Sequence, residues 1–228
     1  KDFLHKYMVL TGCDLLFADK IVLIEGVTER IMLPAIIRKI DASNDPKLSS
    51  QYVSVMEVGG AHAHKFFNLL NFLDLSKLII TDIDSVDDNS EACEVSVGAG
   101  TSNSCIKAWF SPDVTPAQLV AKSDDEKTKG RVRLAYQGPE QQGAACGRSF
   151  EDAFILANHA DFGLTMANAT EAYDKAKKVK KTNFAIEYGI DNTNWNIPLY
   201  IAQGLRWLAA SDILPPQHDQ GEADREAA

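Results

Sequence analysis

No run of apolar residues in this 228-residue chain approaches the roughly 18–20 needed to cross a bilayer, and Lys1 onward does not read as a signal peptide. Paired cysteines are missing as well. Cys13, Cys93, Cys105 and Cys146 form no Cys-x-x-Cys and no Cys/His set with zinc spacing, and such scattered thiols suit a reducing compartment. There is no surplus of positive charge. A formal net charge of −9 excludes passive nucleic-acid binding over a broad basic surface, but not a site whose carboxylates are neutralised by metal ions. No Gly-x-x-x-x-Gly-Lys-Ser/Thr is present, so the chain has no P-loop for nucleotide phosphates. The reading is a cytoplasmic protein. Because the chain begins at Lys1 rather than Met, it is expected to be part of something longer.

What is there is ordinary for a globular fold: 45% hydrophobic and 24% charged residues, enough chain to bury a real core. Lys1 to Asp19 reads as a helical lead-in. Ile21 to Ile24 is a short, mostly β-branched run, expected as a buried strand. A helix is expected from Thr28, as its cap, to Ile40, with Pro34 kinking or delaying it. Tyr52–Val58 and Lys77–Thr81 are further strands, separated by a helix over Lys65–Leu75 that follows Gly59-Gly60. Strand, helix, strand, helix, strand with short joins predicts an α/β fold built on a mainly parallel sheet. Beyond that, Ser85–Ser104 reads as a long loop and Arg131–Tyr136 as a fourth strand. Helical turns are expected over Cys105–Phe110 and Thr115–Asp125, and helices from Ser149, over Asn168–Tyr188 and over Ile197–Ser211. The boundaries expected are a lead-in over 1–18, a core over 19–152 with a partly irregular insertion at 85–147, a helical region over 153–212 and a disordered tail over 213–228.

The chemistry lies in the carboxylates. Glu25 sits at the carboxyl end of the first strand, where open parallel sheets keep their sites, and Glu29 follows four residues on. The third strand runs into Asp82-Ile83-Asp84, whose period of two places both acids on one side if the strand persists. Glu151 opens a helix. The plain alternatives are a loop acid, a favourable charge at a helix N-terminus, a polar strand exit and a capping residue. Two acidic strand ends of matching geometry argue against coincidence. Like charges gathered at one rim need neutralising, and an oxygen-only set favours Mg²⁺ or Mn²⁺ over Zn²⁺. Two such ions would clamp the attacking and leaving oxygens of a phosphodiester.

Strand-Glu25-Gly26, Gly59-Gly60 after a strand, and strand-Asp82-Ile83-Asp84 together resemble the Toprim domain. The finer pattern closely resembles the OLD (overcoming lysogenization defect) family of nucleases. It consists of Ile24-Glu25-Gly26-Val27-Thr28-Glu29-Arg30, Ile80-Thr81-Asp82-Ile83-Asp84 and Arg148-Ser149-Phe150-Glu151. The resemblance covers about Asp19 to Glu151, with a weaker echo to Tyr188. It implies a Toprim core carrying a helical subdomain, with Glu25, Glu29, Asp82, Asp84 and Glu151 as ligands of a pair of Mg²⁺ or Mn²⁺ ions. It also implies a basic residue in a Lys-x-x-Phe-Ala pattern. Lys181-Thr182-Asn183-Phe184-Ala185 matches, which makes Lys181 the candidate for stabilising phosphate charge, with Lys180 as rival and a solvated basic helix face as the plain alternative. Arg148, Lys178 and Lys180 are candidates for contacting DNA, although Arg148 is equally placed to pair with an acid. Family members resemble two-part proteins with an N-terminal ABC-type ATPase, so this chain looks like their nuclease part, binding no nucleotide itself.

The resulting expectation is a divalent-metal-dependent DNA endonuclease, nicking or cutting both strands, with no membrane association. The apolar C-terminal helices are also compatible with a homodimer. A non-cleaving Toprim-like binding or assembly module is the second reading, disfavoured by the extra acids Glu29 and Glu151. A phosphatase of response-regulator or haloacid type ranks last, because it wants an Asp where Glu25 stands.

Overall fold

The computed structural model describes residues 13–58, 60–67, 73–165 and 167–212. Its centre is strand β1 (Lys20–Ile24), every residue of which is buried. β1 lies between β2 (Val53–Glu57) and β3 (Ser76–Ile80), parallel to both, and the short hairpin strands β4 (Ser85–Val86) and β5 (Gly100–Thr101) pair separately. The main sheet is completed by β6 (Thr128–Lys129) and β7 (Val132–Ala135), giving the order β2-β1-β3-β7-β6. β7 runs parallel to β3, and β6 is antiparallel to β7 at the edge.

Both faces of this sheet are covered at its centre, which is why Ile21–Ile24 of β1 and Leu78–Ile80 of β3 read as apolar runs. Val22, Ile24, Leu78 and Ile80 face α1 (Val27–Asp41) and the C-terminal helices, whereas Ile21, Leu23, Ile79 and Leu134 face Phe66, Ile106, Trp109 and Leu119. Alternation along each strand sorts these side chains to opposite sides. On the second face lie α2 (Ser104–Trp109) and α3 (Pro116–Val120). α4 (Phe150–Ala157), α5 (Ala169–Ala176), α6 (Lys181–Ile186) and α7 (Leu199–Ala210) form the C-terminal helical region. α7 presses close to the sheet. A Cβ on Gly204 would come within 2.9 Å of a Leu78 methyl and 3.1 Å of Ala135 Cβ, so only glycine fits without displacement. No helix of the described residues is long and apolar enough to span a membrane. Cys93, Cys105 and Cys146 are free.

Several local expectations change. α1 passes through Pro34 without a break, because Pro34 and Arg30 are on the exposed side, where water can serve the carbonyl that proline leaves unbonded. Its cap is Gly26 rather than Thr28. The 85–104 loop contains the β4–β5 hairpin. Gly60–Phe66 is a 3₁₀ helix, while Gly59, residues 68–72, most of the expected lead-in, and the tail from 213 lie outside the described residues. The single helix expected over Asn168–Tyr188 is broken at Lys177–Lys180. There Lys178 and Val179 make tight i→i−3 bonds to Lys175 and Ala176, and Val179 packs against the core. Tertiary burial overrides the helix preference of the lysines. α6 then continues into a π-helical turn over Glu187–Asp191, where Gly189 lies against the Ile31 carbonyl.

Lys20 ties the sheet to the end of α7. Its ammonium, fully buried at the start of β1, donates to the carbonyls of Leu208 (2.6 Å), Ala209 (3.0 Å) and Ser211 (2.7 Å). These are the carbonyls a helix C-terminus leaves unpaired. Burial lowers the Lys20 pKa, an effect opposed by Asp19. Lys20→Met should therefore lower stability by about 1–3 kcal/mol, since the packing volume is kept but each carbonyl loses one donor, Leu208 retaining Ser211 and Ala209 retaining Gln51. Urea unfolding should show a lower midpoint with an unchanged slope, and an unchanged midpoint would show the contact to be idle.

Candidate active site

Parallel pairing places the carboxyl ends of β1, β3 and β7 at one rim. Glu25 follows β1 directly. Its Oε1 accepts from the Asp82 backbone N–H (3.0 Å), from Asn103 Nδ2 (3.1 Å) and, at very short range, from the Thr81 hydroxyl. β3 ends at Ile80, so the sequence expectation that the strand carries Asp82 and Asp84 to one side does not hold. A clamped turn brings them together instead. Asp84 adopts φ 48°, a left-handed conformation that Asp tolerates better than most residues. Thr101 Oγ1 donates to the Ile83 carbonyl (2.5 Å), Ser102 N to the Asp84 carbonyl (3.0 Å) and Asp84 N to the Arg148 carbonyl (3.0 Å). Asp82 is buried with Oδ1 accepting from Gln137 Nε2 (2.5 Å), and Asp84 Oδ1 pairs with Arg148 Nη2 (3.1 Å).

Glu29 and Glu151 form the other half. Glu29 Oε2 turns back to accept from Gly26 N (3.2 Å) at the first turn of α1. Glu151 is buried at the start of α4, where Asp152, rather than Glu151, completes the capping box with Ser149. Glu151 Oε1 accepts from Thr28 Oγ1 (3.3 Å) and pairs with Lys181 Nζ (3.1 Å). Aromatic packing sets that meeting. Phe150 and Phe154 of α4 meet Phe184 of α6 edge-on at 6.5 and 5.1 Å, fixing the helix that carries Glu151 against the helix that carries Lys181.

The five acids feel one another. Burial, then repulsion from Glu151 and Glu25, pushes the Glu29 carboxyl up to about 7. Burial and Glu25 push Asp82 well above the carboxylate range, and burial raises Asp84 against the pull of Arg148. Lys181 is raised: burial opposes this, but Glu151 beside it wins. Arg148 is thus an acid's partner. Lys178 and Lys180 are exposed, and among the described residues no ion pair joins either to the five acids. Two neutral side chains that the sequence reading passed over, Asn103 and Gln137, reach directly into the rim. Gln137 had a usable signal, since it sits just beyond the end of a parallel strand; Asn103, in a polar loop, had none.

Among the described residues, no three Asp, Glu, His or Cys side chains are already gathered tightly enough to hold an ion. The donor set nevertheless fits Mg²⁺ or Mn²⁺. Glu25 Oε2, Glu29 Oε1, Asp82 Oδ2 and Asp84 Oδ2 accept no hydrogen bond among the described residues, which leaves hard oxygen donors on four mutually repelling acids. Closing on an ion requires movement within this set.

Residues 16–84 match the family described as "Overcoming lysogenization defect protein-like, TOPRIM domain". This segment is an OLD-like Toprim domain. The chain is similar to the solved C-terminal region of the Burkholderia pseudomallei OLD protein, with 17% identity and a TM-score of 0.52, covering 85% of this chain and all of that one. A second such region, from Xanthomonas campestris pv. campestris, gives 15% identity and a TM-score of 0.46, covering 85% and 97%. The chain is also 29% identical over 240 aligned positions to "Endonuclease GajA" of Bacillus cereus (strain HuB5-5). That match takes in 91% of this chain and 34% of the relative, so the chain spans about a third of the relative's length.

The raised Glu29 carboxyl has a stability consequence in metal-free protein. Glu29 holds a proton in the fold that the unfolded chain releases near 4.5, so stability should fall as pH rises from 4.5 to about 7 and level off above. Glu29→Gln keeps an acceptor for Gly26 N–H and should raise Tm in EDTA above neutral pH, each kcal/mol of relief adding about 2–4 °C. An equal or lower Tm would contradict the repulsion.

Proposed function

We propose that this chain is the catalytic region of a divalent-cation-dependent DNA endonuclease. The observation that carries this reading is the gathering of Glu25, Glu29, Asp82, Asp84 and Glu151 at one sheet rim, with Lys181 on Glu151. The printed name of the Bacillus cereus relative supports the nuclease class. The five acids would hold Mg²⁺ or Mn²⁺, as a pair of ions. When bound, the cations supply positive charge against a phosphodiester and ease deprotonation of the attacking water. Lys181 contributes a fixed ammonium beside the site, placed to offset charge developing on the phosphate. Arg148, Lys178 and Lys180 would contact the DNA backbone, compensating locally for an acidic protein. We further propose that the chain works with an N-terminal ABC-type ATPase domain, binds no nucleotide itself, and forms a homodimer.

A second reading, a non-cleaving module that binds nucleic acid through Mg²⁺, draws on the absence of a preassembled ion cage among the described residues. Supercoiled-plasmid cleavage separates the two. Nicked or linear product should require Mg²⁺ or Mn²⁺, fail in EDTA, and vanish in Glu25→Ala and Asp82→Ala. Lys181→Ala should slow cleavage at saturating DNA by about 10²-fold, whereas Lys180→Ala should weaken DNA binding and leave the rate at saturating DNA near the native one. DNA binding without product under every metal would favour the module.

A further inference from the structure

Gln137 lies two residues beyond β7 and is fully buried. Its Oε1 accepts the Ile83 backbone N–H at 2.7 Å, which settles the orientation of the amide, because a peptide N–H can be met only by the oxygen. Nε2 therefore faces Asp82 Oδ1 at 2.5 Å, with the Tyr200 hydroxyl 3.3 Å away. One side chain spans the Asp82 carboxylate and the Asp82–Ile83 peptide. It does so without charge. Asp84 and Glu151 are held by Arg148 and Lys181, cations that compete with any metal for the carboxylate. The Asp82 partner donates one hydrogen bond to Oδ1 and adds no positive charge, leaving Oδ2 without a protein donor among the described residues.

We infer that Gln137 is a positioning residue: its buried carboxamide fixes Asp82 in the orientation from which Oδ2 takes a divalent cation. The inference rests on the cation-site reading proposed above. Polar partners that orient ligating carboxylates are commonly worth about 10- to 100-fold in metal affinity. Tyr200 stands behind the amide and does not substitute for it, since its hydroxyl touches Nε2 rather than Asp82.

Mn²⁺ binding to the purified chain without DNA, followed by the EPR signal of free Mn²⁺, tests this alongside Tm in EDTA. Native protein and Asp82→Asn come first. If native protein takes up no Mn²⁺, the cation site itself fails, and this inference with it. If native protein binds and Asp82→Asn does not, the site stands and Gln137 alone is on trial. Gln137→Met fills the same space without a donor and should raise the Mn²⁺ Kd by about 10- to 100-fold. Should it not fold, Gln137→Asn takes its place; one methylene shorter, it keeps an amide that cannot span both partners, and the same loss is expected. Tyr200→Phe should bind as native protein does. A native Kd in a folded Gln137 variant, even with a lowered Tm, would reduce Gln137 to packing and overturn the inference. So would an equal loss in Tyr200→Phe.

Discussion

Mutual repulsion among carboxylates at the rim of a parallel sheet is the constraint to which much of this structure answers. Asp82, Glu29 and Glu151 are buried, and burial combined with like charge makes ionisation costly for Glu29 and Asp82. A cluster of that kind persists only if the fold around it is stable enough to hold it, and the donors at the rim show how. Thr81, Asn103 and the Asp82 N–H converge on Glu25, Gln137 on Asp82, Arg148 on Asp84, and Thr28 with Lys181 on Glu151. Each takes one oxygen of its acid, and four of the five acids keep the other free of protein donors among the described residues.

The rest of the molecule supplies rigidity at a distance. Apolar cover on both faces holds β1, β3 and β7 in register, so that Glu25, Asp82 and Gln137 arrive at the same height. The Phe150, Phe154 and Phe184 contacts lock α4 to α6, carrying Glu151 to Lys181 across about thirty residues of chain. At the opposite edge, Lys20 holds the end of α7, and Gly204 lets that helix lie close to Leu78 and Ala135. The site and its support are thus built from the same short strands.

The sheet was legible because its signal is local: Ile21–Ile24 and Leu78–Ile80 are apolar runs, the first followed directly by Glu25 and the second, after Thr81, by Asp82. The acids Glu25 and Asp82 were legible for the same reason. Asp84 was found by a spacing argument whose geometry was wrong, since a turn with positive φ, not a continued strand, brings it round. The break in the lysine-rich helix was invisible, because neither Gly nor Pro marks it and the burial of Val179 decides it. Asn103 was missed because a buried amide in a polar loop has no periodic signature, and Gln137 was missed although it sits just beyond β7; both matter through the atoms they meet across the fold. Glu151 and Lys181 were named through resemblance, and their meeting depends on packing between helices that no local pattern specifies.

The most direct test of the acidic rim as a cation site is anomalous scattering, at the manganese absorption edge, from crystals of the chain soaked in Mn²⁺. The account predicts anomalous density among Glu25, Glu29, Asp82, Asp84 and Glu151, with the free oxygens of the first four turned towards it and the Gln137 contact to Asp82 retained. Crystals that diffract well, take up Mn²⁺ elsewhere and leave this rim without anomalous density would contradict it.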